Sequence, residues 1–110
     1  MAKALNFNKI KKNYFTVTLA DEKETTLMIC TPTKAIMDEF ISMKDSLNAE
    51  NMGDDAIDAL YELCTKIMNR NKGGIKIAKK DIEEMFDFMD IIVFIQGYTE
   101  FINELTNSKN

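Results

Sequence analysis

The sequence predicts an α+β fold: an N-terminal β-hairpin packed on a mostly helical domain of about four helices. Three observations lead there. Tyr14 to Leu19 alternates apolar and polar side chains and is rich in β-branched and aromatic residues. Ile36, Phe40, Met43 and Leu47 then recur at helical spacing. Finally, Ile82 to Leu105 is the most apolar stretch, with Ile91, Ile95, Tyr98, Ile102 and Leu105 forming one stripe along a helix. A chain of 110 residues fits one domain, 1–110, and its hydrophobic content of 45% excludes wholesale disorder.

The elements follow in order. In residues 1–13, Leu5 and Phe7 alternate with polar neighbours and allow a short strand. Lys9, Lys11 and Lys12 read as a solvated face or as protection of a sheet edge. The hairpin spans about 14–31, with Phe15, Val17 and Leu19 on one face and Asp21 to Glu24 as its charged tip. Such a ribbon is marginal alone, so its apolar face must pack on helices. The first helix runs over about 32–47, with Thr31 at the N-cap and Pro32 at the first helical position. After a polar loop, the second runs over about 54–71. Asp54 and Asp55 sit at its positive end and Lys66 and Arg70 near its negative end, and Gly73 is its left-handed terminator. Asp81 with Glu84 resembles a capping box for a short helix at 82–88, and Asp90 suits the N-cap of a long helix at 90–106. Gly97 inside that helix points to close approach of another helix. The expected core is Phe15, Val17, Ile29, Ile36, Phe40, Ile57, Leu60, Cys64, Ile67, Phe86, Ile91, Ile95 and Ile102.

Composition bounds the chemistry. There is no histidine, which removes Cys–His and Ser–His nucleophile activation and the commonest transition-metal ligand. Cys30 and Cys64 lie far apart in sequence with no metal-ligand spacing, and read as two reduced, buried thiols. The four glycines form neither a dinucleotide fingerprint nor a phosphate loop. A net charge of −4 disfavours nucleic-acid binding as the main activity. The longest apolar run, Ile91 to Ile95, is far too short to span a bilayer, and the first residues carry no signal-peptide core. Glu83, Asp87 and Asp90 share a helix face and are the one acidic constellation worth weighing for a divalent cation. Without an EF-hand spacing they read as a solvated face. The expectation is therefore no enzyme, no cofactor and no metal site. Eight methionines are many for this length; thioethers fill cores and also line adaptable binding surfaces.

The order of segments resembles a known family. The hairpin ends in Thr31-Pro32-Thr33-Lys34-Ala35-Ile36-Met37-Asp38-Glu39, and the second helix reads Leu60-Tyr61-Glu62-Leu63-Cys64-Thr65-Lys66-Ile67-Met68. A Gly-Ile-Lys-Ile connector leads to Asp81-Ile82-Glu83-Glu84-Met85-Phe86-Asp87-Phe88, and the chain closes with Tyr98-Thr99-Glu100-Phe101-Ile102-Asn103-Glu104-Leu105. Over nearly its whole length it is similar to the small tail assembly chaperones of long-tailed phages and prophages of Gram-positive bacteria. The resemblance implies a non-enzymatic protein that binds the helical tape measure protein. It would keep that client soluble in the host cytoplasm while the tube forms, and would be absent from the mature virion. It also implies a short form whose longer counterpart arises by ribosomal frameshifting.

Helix-in-groove recognition then suggests Met85, Met89, Phe94, Tyr98 and Phe101 as client contacts, with Met37 and Phe40 second. The same residues suit a core equally well. A second reading is a small acidic regulatory or inhibitor module that binds another protein, using the carboxylates between Asp81 and Asp90. The width of the apolar stripe on the last helix further suggests a homo-oligomer, closed rather than open.

Overall fold

The computed structural model describes residues 5–7, 12–47 and 53–107, with the side chains of 46, 47 and 107 left aside. The lysines at 9 and 11, most of the loop expected after the first helix, and the last three residues lie outside that range. The fold is α+β: strands β1 (Phe15–Thr18) and β2 (Thr26–Ile29) form an antiparallel hairpin, followed by helices α1 (Lys34–Leu47), α2 (Asp54–Asn69), α3 (Lys79–Met85) and α4 (Phe88–Asn107). Residues 5–7 are exposed and not in a strand, with Phe7 in a 3-10 turn; most of the rest of the expected short strand lies outside the described residues.

The hairpin tip is built by one carboxylate. Asp21 Oδ1 accepts from the Thr25 N–H at 2.8 Å and Oδ2 accepts from the Thr25 hydroxyl at 2.6 Å, while Glu24 takes the left-handed φ of 51° that the turn needs. The Thr25 hydroxyl bond is also the first cause holding the Asp21 carboxyl below its ordinary pKa. Register pairs Phe15 with Ile29 and Val17 with Leu27, so one face of the ribbon is wholly apolar.

The outer edge of β2 is sealed by the chain after α2. Cys30 N–H donates to Arg70 O at 2.8 Å, Lys72 N–H donates to Met28 O at 2.9 Å, and Ile29 bridges Asn71. Pairing with the sheet explains why α2 ends at Asn69 and not at 71: Arg70 has left helical geometry at φ −90°, ψ 68°. The left-handed glycine is Gly74, at φ 69°, and not Gly73. Two asparagines then hold the connector. Asn71 Nδ2 donates to the Met68 and Ile75 carbonyls at 2.8 Å and its Oδ1 accepts from Ile75 N–H at 2.8 Å. Asn69 Nδ2 donates to Thr65 O and Ile77 O at 2.8 Å, and its Oδ1 accepts from Ile77 N–H at 2.7 Å. Asn71 is the one buried polar residue among those described, and its amide is fully satisfied.

Three helix starts differ from expectation, each for a local reason. Thr33, not Thr31, caps α1: its hydroxyl accepts from Ile36 N–H at 3.3 Å. Thr31 precedes a proline, which disfavours helical geometry, and its carbonyl accepts from Arg70 Nε at 2.7 Å. Helix α3 begins at Lys79 after Ala78 with no side-chain cap, so Asp81 and Glu84 form no capping box. The break between α3 and α4 falls at Phe86, which is extended and whose carbonyl accepts the Tyr61 hydroxyl at 3.0 Å. The capping box forms just after it: Asp87 Oδ1 accepts from Asp90 N–H at 2.8 Å, and Asp90 Oδ2 accepts from Asp87 N–H at 3.1 Å. Asp87 is thus the N-cap of α4 and Asp90 its third helical residue.

The hub is α2, which packs against α1, α3, α4 and β2. Its Leu60, Leu63, Cys64, Ile67 and Met68 are buried, against Leu27 and Ile29 of the hairpin and Ile91, Ile95, Tyr98 and Ile102 of α4. Of the expected core, Phe15, Val17, Ile36 and Phe86 pack only half-buried against this cluster, and Ile57 is half-buried at the start of α2. Cys64 is buried as expected, whereas Cys30 is half-buried; both are free.

Candidate interaction surface

The surface is organised by an aromatic cluster where β1 meets α4. The Phe15 ring lies 5.9 Å from Phe94, 5.8 Å from Tyr98 and 5.6 Å from Phe101, and Phe40 of α1 meets Tyr98 edge-on at 5.4 Å. These rings come together because Gly97 lets the strand approach: a Cβ there would stand 2.9 Å from Phe15 Cζ. The close approach at Gly97 is therefore by a strand aromatic and not by a helix. Tyr98 is wholly buried, its hydroxyl has no hydrogen-bond partner among the described residues, and burial pushes its pKa up to about 12.

This packing sorts the candidate contacts. Phe40, Phe94, Tyr98 and Phe101 are packed into the core, at 8% exposure or less, and of the four Phe94 also lines a groove between β1 and α4. Met37 and Met85 lie half-buried against the same core. Only Met89 is open, at 76% exposure. Two further apolar residues not singled out from the sequence are exposed on α4: Val93, 64% exposed, one turn beyond Met89 and on the same face, and Phe88, 41% exposed at the helix start and on another face. Val93 is hard to pick out because it sits in the run Ile91 to Ile95, all of whose members look like core. Its i, i+4 spacing from Met89, on the side opposite Ile91 and Ile95, is the signal that finds it.

Beside this ridge runs a groove of about 390 Å³. Phe15, Thr16 and Val17 of β1 form one wall; Val93, Phe94, Gly97 and Asp90 of α4 form the other; Met68 and Phe86 also line it. Asp90 is the only charged lining residue among those described. The β1 wall is also an open sheet edge: Leu19 N–H donates to Thr25 O, so the alternation of the ladder turns the backbone groups of Thr16 and Thr18 away from β2. Among the described residues no strand covers that edge.

The acidic array is less available than its spacing suggests. Asp87 and Asp90 cap one another's backbone, and Glu83 lies 3.8 Å from Lys79 Nζ, which is itself bonded to Asp58 at 2.7 Å. Among the described residues no group of three or more acidic or sulfur ligands is placed to hold a metal, and no helix is long and apolar enough to cross a membrane. The Cys64 thiol, pushed up to about 12 by burial, is a poor nucleophile. Comparison with family models, curated proteins and solved structures finds no match to this chain.

Proposed function

We propose that the chain is a non-enzymatic tail assembly chaperone, acting in the host cytoplasm on the tape measure protein and left out of the finished virion. The observation that carries this reading is the exposed apolar ridge of Met89 and Val93 beside the open groove between β1 and α4. A helical client lays an i, i+3, i+4 apolar stripe into such a feature. The unbranched thioether of Met89 adapts to many similar segments, which suits a client with a long, repetitive apolar surface. Modest affinity follows from a small, solvent-edged contact, and tube subunits must in the end displace the chaperone.

The test is co-expression with the tape measure protein, which this reading expects as a long helix-rich frame downstream. Wild-type chain should raise that protein's soluble yield and co-elute with it. Met89→Asp combined with Val93→Asp should abolish both effects while the circular dichroism and unfolding midpoint of the chaperone stay unchanged, because both side chains are exposed. Unchanged client solubility with the wild-type chain, and no complex on size exclusion, would refute the reading.

A further inference from the structure

We infer that the groove between β1 and α4 also receives the N-terminal arm of a second copy of this chain, so that two copies exchange arms. The inference stands on the surface alone and holds whatever the client is.

Charge is sharply divided along the chain. The first twelve residues hold Lys3, Lys9, Lys11 and Lys12 and no carboxylate, so every one of the eighteen acidic residues lies beyond them. A chain of net charge −4 therefore consists of a +4 arm and a −8 body. Among the described residues the groove has an anionic lining residue, Asp90, and no cation. Arm and groove are thus complementary in sign, and two bodies that would otherwise repel are brought together by the arms.

Shape agrees with charge. Leu5 and Phe7 are 71% and 72% exposed, an apolar pair at the strand spacing i, i+2 that the body of its own chain leaves uncovered. The groove offers an apolar trough and, on its β1 wall, the free backbone groups of Thr16 and Thr18. A three-residue extended segment added there pairs its backbone with β1 and drops Leu5 and Phe7 towards Val93 and Phe94. Seven residues separate Phe7 from Phe15, a stretch whose reach is at most about 23 Å. When each arm lies in the other copy's groove, the exchange has two-fold symmetry and closes at two.

The test is sedimentation equilibrium on the full chain with single substitutions. The wild type should dimerise, and more weakly as salt rises, since the arm's lysines are screened. Phe7→Asp in the arm and Val93→Asp in the groove should each weaken the dimer about tenfold or more. Mixing the two variants should restore association in part, because the intact arm of the Val93→Asp chain meets the intact groove of the Phe7→Asp chain. A wild type that stays monomeric at high micromolar concentration overturns the inference; so does a dimer indifferent to Phe7→Asp, or a mixture no stronger than either variant alone. Should Val93→Asp fail to fold, Phe7→Asp, which leaves the groove untouched, decides the matter with the salt series. A client complex that forms equally well with Phe7→Asp leaves the chaperone reading intact while the dimer is lost, so the two fail separately.

Discussion

Replacing Gly97 by alanine sets two effects of similar size against each other. Glycine inside a helix costs about 1 kcal/mol against alanine, so propensity alone makes the substitution stabilising by about that much. The new Cβ, however, would stand 2.9 Å from Phe15 Cζ, closer than two carbons pack. The Phe15 ring has little freedom to retreat, being held by Phe94, Tyr98 and Phe101 at 5.6 to 5.9 Å. Forcing a methyl into such packing costs about 1–3 kcal/mol. The expected net effect is destabilisation by about 1 kcal/mol, the overpacking cost less the propensity gain. The control is a double-mutant cycle with Phe15→Leu, which removes the para carbon that meets the new methyl. In that background Gly97→Ala should become neutral or stabilising, a coupling of about 1–2 kcal/mol. Urea unfolding followed by circular dichroism reads both numbers, provided m is constant across the four proteins. If Gly97→Ala stabilises equally in both backgrounds, the strand does not press on the helix there, and the account of why glycine occupies position 97 is wrong.

Four further outcomes are expected. Asn71→Asp should destabilise by about 2–4 kcal/mol in urea, because it removes the donors that serve two carbonyls and buries an acid between them; Asn71→Asp unfolding at the wild-type midpoint would show that the connector does not depend on it. Tyr98→Phe should be neutral or stabilising by about 1–2 kcal/mol, since it removes a buried hydroxyl without a partner. The folded pKa of Tyr98 is raised above its unfolded value of 10.0 to about 12, so its neutral form favours the fold fully below pH 10.0, and that contribution is lost as pH climbs through about 12; tyrosinate absorbance should show this ring ionising together with unfolding. Native thiol titration should find Cys30 reacting well before Cys64, which is buried and raised to about 12; equal fast rates would mean that α2 opens readily.

The fold class was legible because period-two alternation in β1 and helical stripes in α1, α2 and α4 are properties of neighbouring residues. The caps were less so. Thr31, Thr33, Asp81, Asp87 and Asp90 all suit an N-cap by type, and the choice among them fell to distant groups: Arg70 claiming the Thr31 carbonyl, Tyr61 claiming that of Phe86. The scaffold at Asn69 and Asn71 left no periodic trace, since its partners are backbone atoms whose positions only the folded chain defines. For the candidate surface, the stripe on α4 announced apolar residues all round and could not say which side would be claimed first. The hairpin and α1 claimed Phe94, Tyr98 and Phe101, and what remained was the side bearing Met89 and Val93.

The sealing of β2 by residues 70–72 has a consequence for how this protein fails. A two-stranded ribbon ordinarily offers two flanks, and a particle with two flanks can add neighbours on both sides without end, which is the geometry of a fibre. Here one flank is permanently occupied by the chain itself. Among the described residues the hairpin itself therefore has a valence of one, and edge-to-edge pairing of two hairpins stops at a pair. A substitution that loosens the 70–72 segment would raise that valence to two, turning a self-limiting contact into a propagating one.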